Sequence, residues 1–309
     1  MTVVNAMRFA NGGAMVADEQ EVYATRKAYT GQKITQIGGW IIGISGTSVI
    51  LKELLDMLSE NADKAQPDRL FEWLNEQVPR VINNKRREVL AKNFGVTLEE
   101  FLTGKETCAT QGGGHEHIPF DYGIFSKMVQ AIEQFNLWNS IALLMGRIES
   151  GRFEIYVMDS NYYARRRIPQ VYYSIGIGAD ISDAVLAEYV DNLTPDQRER
   201  ISPEDGLVKL IGAVNASAAR NVGVGGNLQI VYVDKEGKLY QPKQMECHLT
   251  SELVKGLKWG YLDYDFVRRE VRDLVIKGKK FDSVEPEMRR QLGSKWDEFD
   301  LRLRGYRVG

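Results

Sequence analysis

Along the first 46 residues the chain alternates between short apolar runs and glycine-rich breaks. Thr2 to Arg8 sets β-branched and apolar residues in partial alternation, as a strand does. Asn11-Gly12-Gly13 is a hairpin turn signal. Ala14 to Ala17 then reads as a short buried strand ending at Asp18. Glu21 to Tyr29 is a further strand-like run, and Lys33 to Ile37 the next. Gly38-Gly39 turns tightly into Trp40 to Ser45. Strands in such quick succession, with glycine turns between them, predict one antiparallel sheet.

The period then lengthens. Ser48 to Asn61 carries Ile50, Leu51, Leu54, Leu55 and Leu58 on one helical face. Asp68 to Asn93 is a second helical stretch with Leu70, Phe71, Leu74 and Val78 apolar, and Pro79 is expected to kink or break it. Residues 94–137 lose the pattern. Gly104 and Gly112-Gly113-Gly114 mark a loop, with a short helix from Phe125 to Phe135, so this stretch reads as an insertion. Leu137 to Ile148 and Phe153 to Met158 are strands joined by Glu149-Ser150-Gly151. Arg165-Arg166-Arg167 is a solvated loop or strand end, and Val171 to Gly178 a further strand.

Ile181 to Val190 reads as a helix. Ser202-Pro203-Glu204-Asp205 starts another, with serine at the cap, proline in the first turn and acids at the positive end. It runs to about Arg220, and Ala213, Ala216 and Ala219 give it a thin face for close packing. Leu228 to Asp234 and Lys238 to Gln241 are the last strands. Residues 2–242 form one unit, and 243–309 are a helical extension. Within the extension, Leu262 to Lys277 is amphipathic through Val267, Val271, Leu274 and Val275. Two readings stand: an appendage packed on its own domain, or a docking or oligomerisation element.

Composition narrows the classes. The 40 Lys and Arg against 42 Asp and Glu leave a net charge of -2, which gives no electrostatic case for nucleic acid or an anionic membrane. No apolar run reaches the roughly 18 residues of a membrane span. The N-terminus lacks the layout of a signal peptide. Cys108 and Cys247 are too few for a disulfide framework. A soluble, cytosolic protein is expected. Cys108, His115 and His117, then Cys247 and His248, hold both cysteines and all three histidines. Their spacing matches no zinc motif, so no metal and no cofactor are expected.

The chemistry sits at the start. Removal of Met1, with no longer propeptide expected, would give Thr2 a free α-amine beside its own hydroxyl. An α-amine has a pKa of about 7.7–8.0, so part of it is neutral near neutral pH and can act as base for the hydroxyl. Thr2, the run Gly-Gly-Ala-Met-Val-Ala-Asp ending at Asp18, the Lys33-Ile-Thr-Gln-Ile segment and Trp40-Ile-Ile-Gly-Ile-Ser-Gly46 together resemble catalytic β-type proteasome subunits and the related bacterial ATP-dependent protease subunit. Both are N-terminal-nucleophile (Ntn) hydrolases. The resemblance covers roughly residues 2–60 and 138–242. It implies an α+β, four-layer αββα sandwich and a threonine-type endopeptidase acting on a peptide or protein substrate. It implies that Thr2 is the nucleophile, that Lys33 stabilises its alkoxide from near the surface of a cleft, that Asp18 holds Lys33, and that the Gly46 N–H receives the oxyanion. It also implies a homo-oligomer and an ATPase regulator as partners.

The chain departs from the pattern in places. Ile177 stands nearest to one expected serine, Asn221 stands where an aspartate is expected, and Val224 where another serine is. Asn221 can still accept a hydrogen bond from the Thr2 amine or hydroxyl. Two other functions share the same residues. Archaeal connectases resemble proteasome subunits and pass the acyl group to an amine, so a transpeptidase or ligase is one. A catalytically idle scaffold subunit is the other.

Overall fold

The computed structural model describes residues 2–23, 26–28, 32–46, 48–60, 69–110, 113–138, 141–159 and 166–304. Met1, Tyr29, Asn61, Asp68, Gly112 and Arg165, and the side chains of Leu51 and Leu55, lie outside the described residues.

The chain begins with the hairpin β1 (Val3–Phe9) and β2 (Gly12–Asp18), in which every residue is buried. β3 (Glu21–Tyr23) and β4 (Arg26–Ala28) pair only with each other, among the described residues. β5 (Ile34–Ile37) and β6 (Trp40–Ser45) form the next hairpin. The single sheet expected from these strands is therefore divided among three. The physical reason lies in the faces of β1, β2 and β6. Both faces of each are buried, so the alternation separates one apolar core from another rather than core from solvent. Pattern alone cannot say which strands share a sheet.

α1 (Ser48–Glu60) and α2 (Leu70–Phe94) follow. α2 runs through Pro79 without the break that was one of the two expected outcomes. Leu74 and Val78 before it and Val81 and Ile82 after it are all buried, and that packing outweighs the one backbone bond proline cannot make. The inserted stretch 94–137 holds the expected helix, longer than expected, as α4 (Tyr122–Trp138), and before it α3 (Leu98–Thr103) and a hairpin of β7 (Lys105–Ala109) and β8 (His115–Pro119), which were not expected. Gly95 and Gly104 are left-handed caps that stop one element and start another. Gly113 and Gly114 lie in the β7–β8 connection, as the loop reading expects, whereas Gly104 caps a helix. Leu137 belongs to α4, so the strand expected from it starts later.

That strand is β9 (Ala142–Glu149), followed by β10 (Arg152–Asp159), β11 (Arg166–Ile168) and β12 (Tyr172–Gly176). Then come α5 (Ala179–Asp191), α6 (Pro195–Glu199) and α7 (Pro203–Arg220). Ser202 caps α7 by accepting from the Asp205 N–H, as expected. Ala213 and Ala216 are buried on it, whereas Ala219 is exposed. β13 (Leu228–Asp234) and β14 (Leu239–Tyr240) precede α8 (Gln244–Lys258), α9 (Tyr264–Val275), α10 (Phe281–Leu292) and α11 (Trp296–Arg304).

The fold is thus mixed α+β, with antiparallel sheets. One sheet has the order β12-β1-β2-β13-β14 and another β11-β10-β9-β6-β5. Val4, Ala6 and Met15 of the first sheet share a core with Ile41, Leu144 and Ile155 of the second. The opposite face of the first sheet packs with α5, α7 and the C-terminal helices. The second sheet packs with α1 and α2. Fully burying a Val, Leu or Ile side chain contributes about 1.5–3 kcal/mol, so these contacts hold the elements in register. Leu253, Val271, Met288 and Phe299 of the extension lie in the same core as Leu210 and Ile230. The extension packs on its own chain. Leu90, Val96, Leu98, Met128 and Ile132 make a separate small core for the inserted stretch.

Candidate active site

Four segments meet at Asp18. Pairing of Val4 with Ala17 sets the start of β1 beside the end of β2. Asp18 Oδ1 accepts from the Thr2 hydroxyl at 2.7 Å and from the Val3 N–H at 2.8 Å. Lys33 Nζ stands 3.0 Å from that same oxygen. Asp18 Oδ2 accepts the Gly225 N–H at 3.0 Å. Thr2 and Asp18 are 0% exposed and Lys33 3%. A buried carboxylate is tolerable only when its lone pairs are taken and its charge is matched, and both hold here.

Lys33 is fixed at both ends. Its Nζ donates to the Gln20 carbonyl at 2.6 Å. Gln229 Oε1, from β13, accepts the N–H groups of Lys33 and Ile34 at 2.7 and 2.9 Å. Ile44 N–H donates to the Lys33 carbonyl at 2.9 Å. Lys33 is therefore inside the protein, not near the surface of a cleft. Lys33 directly precedes β5, and its ammonium reaches the Asp18 carboxylate and the Gln20 carbonyl.

Gly46 follows β6 directly, two residues before α1 starts. Among the described residues its N–H meets no hydrogen-bond acceptor. Gly176, at the end of β12, pairs with Val3 and has φ +95°. A Cβ there would lie 2.3 Å from the Thr2 carbonyl oxygen, so only glycine lets the two strands approach this closely. Gly178 N–H donates to that carbonyl at 3.3 Å. Ser217 donates to the Gly178 carbonyl at 2.8 Å, and Ser182 lies 2.9 Å from Ser217. Buried hydroxyls of α5 and α7 thus support the segment that touches Thr2.

Asn221 is held by the segments around it. Its Nδ2 donates to the Ile177 carbonyl at 3.2 Å, and its Oδ1 accepts the Gly223 N–H at 3.0 Å. Among the described residues no hydrogen bond joins it to Thr2. It ties the segment after β12 to the loop after α7. Asp18 carries the polar contact to Thr2 instead, and its charge makes it the stronger acceptor.

Three residues of this arrangement were not singled out from the sequence. Gln20 is buried, donates its backbone N–H to the Gly225 carbonyl at 2.9 Å, and donates its side-chain amide to the Val222 carbonyl at 2.8 Å. Gln229 and Gly176 are the others. A glutamine inside the apolar run of β13 was a visible signal for Gln229. Nothing local marks Gln20. Burial raises the Glu19 carboxyl above its usual range, opposed by hydrogen bonds with Gln244 and Asn227. The first turn of α8 therefore meets the residue next to Asp18.

The expected absence of a metal motif concerns two separate places. Cys108, His115 and His117 lie on the β7–β8 hairpin, where Cys108 faces Glu116 and Thr107 faces His117. Cys247 is buried in α8, and burial pushes its thiol up to about 12. His248 meets Glu252 at 3.1 Å. Among the described residues no group of three or more His, Cys, Asp or Glu side chains is placed to hold a metal ion. Among them, too, no helix is long and apolar enough to cross a membrane.

No family model matches the sequence. Among solved structures the fold is similar to that of a proteasome-β-like protein with the Ntn fold. That protein is Anbu (ancestral beta-subunit) from Yersinia bercovieri, with a TM-score of 0.53 over 84% of this chain and 94% of that one. The two are 12% identical, so the likeness speaks for the fold alone.

Proposed function

We propose that the chain is an Ntn hydrolase with a four-layer αββα sandwich, acting as a threonine-type peptidase. The observation that carries this reading is the sharing of one buried oxygen, Asp18 Oδ1, between the Thr2 hydroxyl at 2.7 Å and Lys33 Nζ at 3.0 Å. An ordinary strand threonine needs no ammonium beside it. A nucleophile does, because the alkoxide it becomes must be held by positive charge in a dry site.

The reading requires the peptide bond before Thr2 to be cut. The freed α-amine, directly or through a water, takes the proton of Oγ1. Oγ1 then attacks the substrate carbonyl carbon, and the Gly46 N–H receives the oxyanion. Collapse breaks the scissile C–N bond, the ammonium returns its proton to the departing amine, and an acyl-Thr2 ester remains. Water hydrolyses the ester. Asp18 keeps Lys33 charged and in place throughout. Asn221 acts through the loops rather than on Thr2.

A second reading keeps the ester and changes its acceptor. Ile177 and Val224 stand where the resembled family has serines, and neither can hydrogen-bond a water. That favours transfer to an amine, making a transpeptidase. Self-association finds support in the word subunit in the name of the similar structure. A cytosolic location rests on the composition and the N-terminal pattern, and an ATPase regulator on the family resemblance.

Intact-mass analysis tests the reading. Protein with a free Thr2 amine should gain one equivalent of a β-lactone, mapped to the Thr2 hydroxyl, and Thr2→Ala should gain none. A folded protein with a free Thr2 amine that takes up no lactone would sink the mechanism and leave the scaffold. Product mass separates the two enzymes, since transfer adds an amine where hydrolysis adds water.

A further inference from the structure

Two of the three histidines stand on one short strand. His115 and His117 are in β8, which is exposed at every residue, and β7 is exposed at all but Cys108. Antiparallel pairing sets Ala109 opposite His115, Thr107 opposite His117 and Cys108 opposite Glu116. Directly opposed residues share a face, and successive residues alternate between faces. His115, His117, Thr107 and Ala109 therefore share one face, with Lys105 at the end away from His115. Cys108 and Glu116 share the other face, so neither joins an ion held by the two histidines. Along the strand the histidines are roughly 6–7 Å apart, near enough for two imidazoles to reach one ion.

This face is anchored from behind and left open in front. The Thr107 N–H donates to Glu100 Oε1 at 2.9 Å, and Glu100 Oε2 accepts the Thr97 N–H at 2.9 Å, so the cap of α3 fixes β7. At the tip the Thr110 N–H donates to the Gly114 carbonyl at 2.8 Å, and the Gly114 N–H donates to Thr110 Oγ1 at 3.1 Å. Thr107 Oγ1 lies 3.3 Å from His117 Nδ1. In the tautomer whose Nδ1–H donates to Thr107, Nε2 keeps its lone pair free for a metal. Metal-binding histidines are oriented in this way through their second nitrogen. Among the described residues β7 and β8 pair only with each other.

Two imidazoles are half of a tetrahedral shell. Zinc takes four such ligands, whereas magnesium and calcium take oxygens. Among the described residues no third His, Cys, Asp or Glu stands with this pair. A second copy of the hairpin, related by a two-fold axis, offers the same two imidazoles on an equally open face. We propose that His115 and His117 form half of a zinc site, and that the same two residues of a second copy complete it. The ion then joins two chains through the inserted stretch, independently of any chemistry at Thr2.

The test uses the full chain, stripped with EDTA and titrated with zinc chloride under equilibrium dialysis and light scattering. Zinc should bind at one ion per two chains, and the mass should double and return with EDTA. Magnesium chloride should do neither. In His115→Ala/His117→Ala both responses should be lost, while lactone labelling of Thr2 stays as in the wild type. Thr107→Val, which keeps the shape and removes the hydroxyl, should weaken zinc binding about tenfold or more at the same stoichiometry. It reads the effect if the double variant fails to fold. Cys108→Ser should bind zinc as the wild type does. Zinc bound at one ion per chain with no change of mass would overturn the proposal. So would binding that survives in the folded double variant, binding lost in Cys108→Ser, or no binding at micromolar zinc. A protein that binds zinc as expected yet takes up no lactone would lose the nucleophile and keep this site.

Discussion

Asp18 and Asp183 flank the same strand, β1, and live in opposite circumstances. Asp18 receives three hydrogen bonds, from Thr2, Val3 and Gly225, and pairs with the Lys33 ammonium. Asp183, on α5, sits near Ser174, and Asp183 Oδ1 and Ser174 Oγ have no hydrogen-bond partner among the described residues. Burial pushes the Asp183 carboxyl above its usual range, and the nearby Ser174 hydroxyl, which does not reach hydrogen-bond geometry, opposes this only weakly. One carboxylate has its donors built around it. The other shows what burial does when they are missing. The comparison separates a site, in which charge is supported from several elements, from a buried polar remainder, in which charge is disfavoured.

The largest effect expected from breaking this contrast is at Asp18. Asp18→Ala leaves a buried ammonium without its counter-charge, and the Val3 and Gly225 N–H groups without acceptors. Removing one partner of a buried pair costs about 3–5 kcal/mol. Urea unfolding should show that loss, and lactone labelling of Thr2 should disappear. Asp18→Asn keeps the shape and some acceptors, so it should unfold later than Asp18→Ala while still failing to label. An Asp18→Ala protein as stable as the wild type would refute the account of the site as a supported charge.

Next comes Gly176→Ala, which touches no charge. The new Cβ would fall 2.3 Å from the Thr2 carbonyl, at a φ of +95° that alanine resists. Thr2 or β12 must shift. A displacement near 1 Å can cost roughly a hundredfold in rate. Labelling of Thr2 should slow by about that factor while Asp18 and Lys33 stay paired. Wild-type labelling in this variant would show that the position of Thr2 is less constrained than its neighbours imply.

Much of this was legible in the chain, and the failures share a cause. The β1–β2 hairpin, the cap at Ser202 and the Thr2, Asp18, Lys33 set could be read because each rests on local pattern or on a motif in register. The partition of strands between sheets could not, because strands buried on both faces alternate between two apolar cores. Pro79 misled because tertiary packing on either side of it outweighs a local preference. Of the inserted elements α4 was legible, while α3 and the β7–β8 hairpin were hidden by glycines that cap a helix and turn a hairpin, yet look in sequence like a loop. The bonds of Asn221 to Ile177 and Gly223 depend on where those residues arrive in space, which no spacing records. Gln20 was invisible for the same reason, since its partners Val222 and Gly225 lie about 200 residues away.

The smallest expected effect is at Asp183, and its sign follows from linkage. A carboxyl whose pKa is raised in the folded state binds its proton more tightly there than in the unfolded chain. The stability this provides is fully present below the ordinary carboxylate range, near about pH 3.9, and is lost as pH rises through the folded value. At neutral pH the folded protein therefore either carries an unfavourable buried charge or holds a proton against the solvent. Asp183→Asn removes that conflict at every pH. Its amide can also donate toward Ser174 Oγ, a bond worth on the order of 1 kcal/mol. The variant should be the more stable protein at neutral pH by about that amount. Its advantage should shrink when urea unfolding is repeated near about pH 4, where the wild-type carboxyl is already protonated. An advantage that grows toward acid, or a variant less stable at neutral pH, would mean that Asp183 has donors after all and that it resembles Asp18 rather than opposing it. Labelling of Thr2 should be unaffected in either case, because no hydrogen bond among the described residues links Asp183 to Thr2, Asp18 or Lys33.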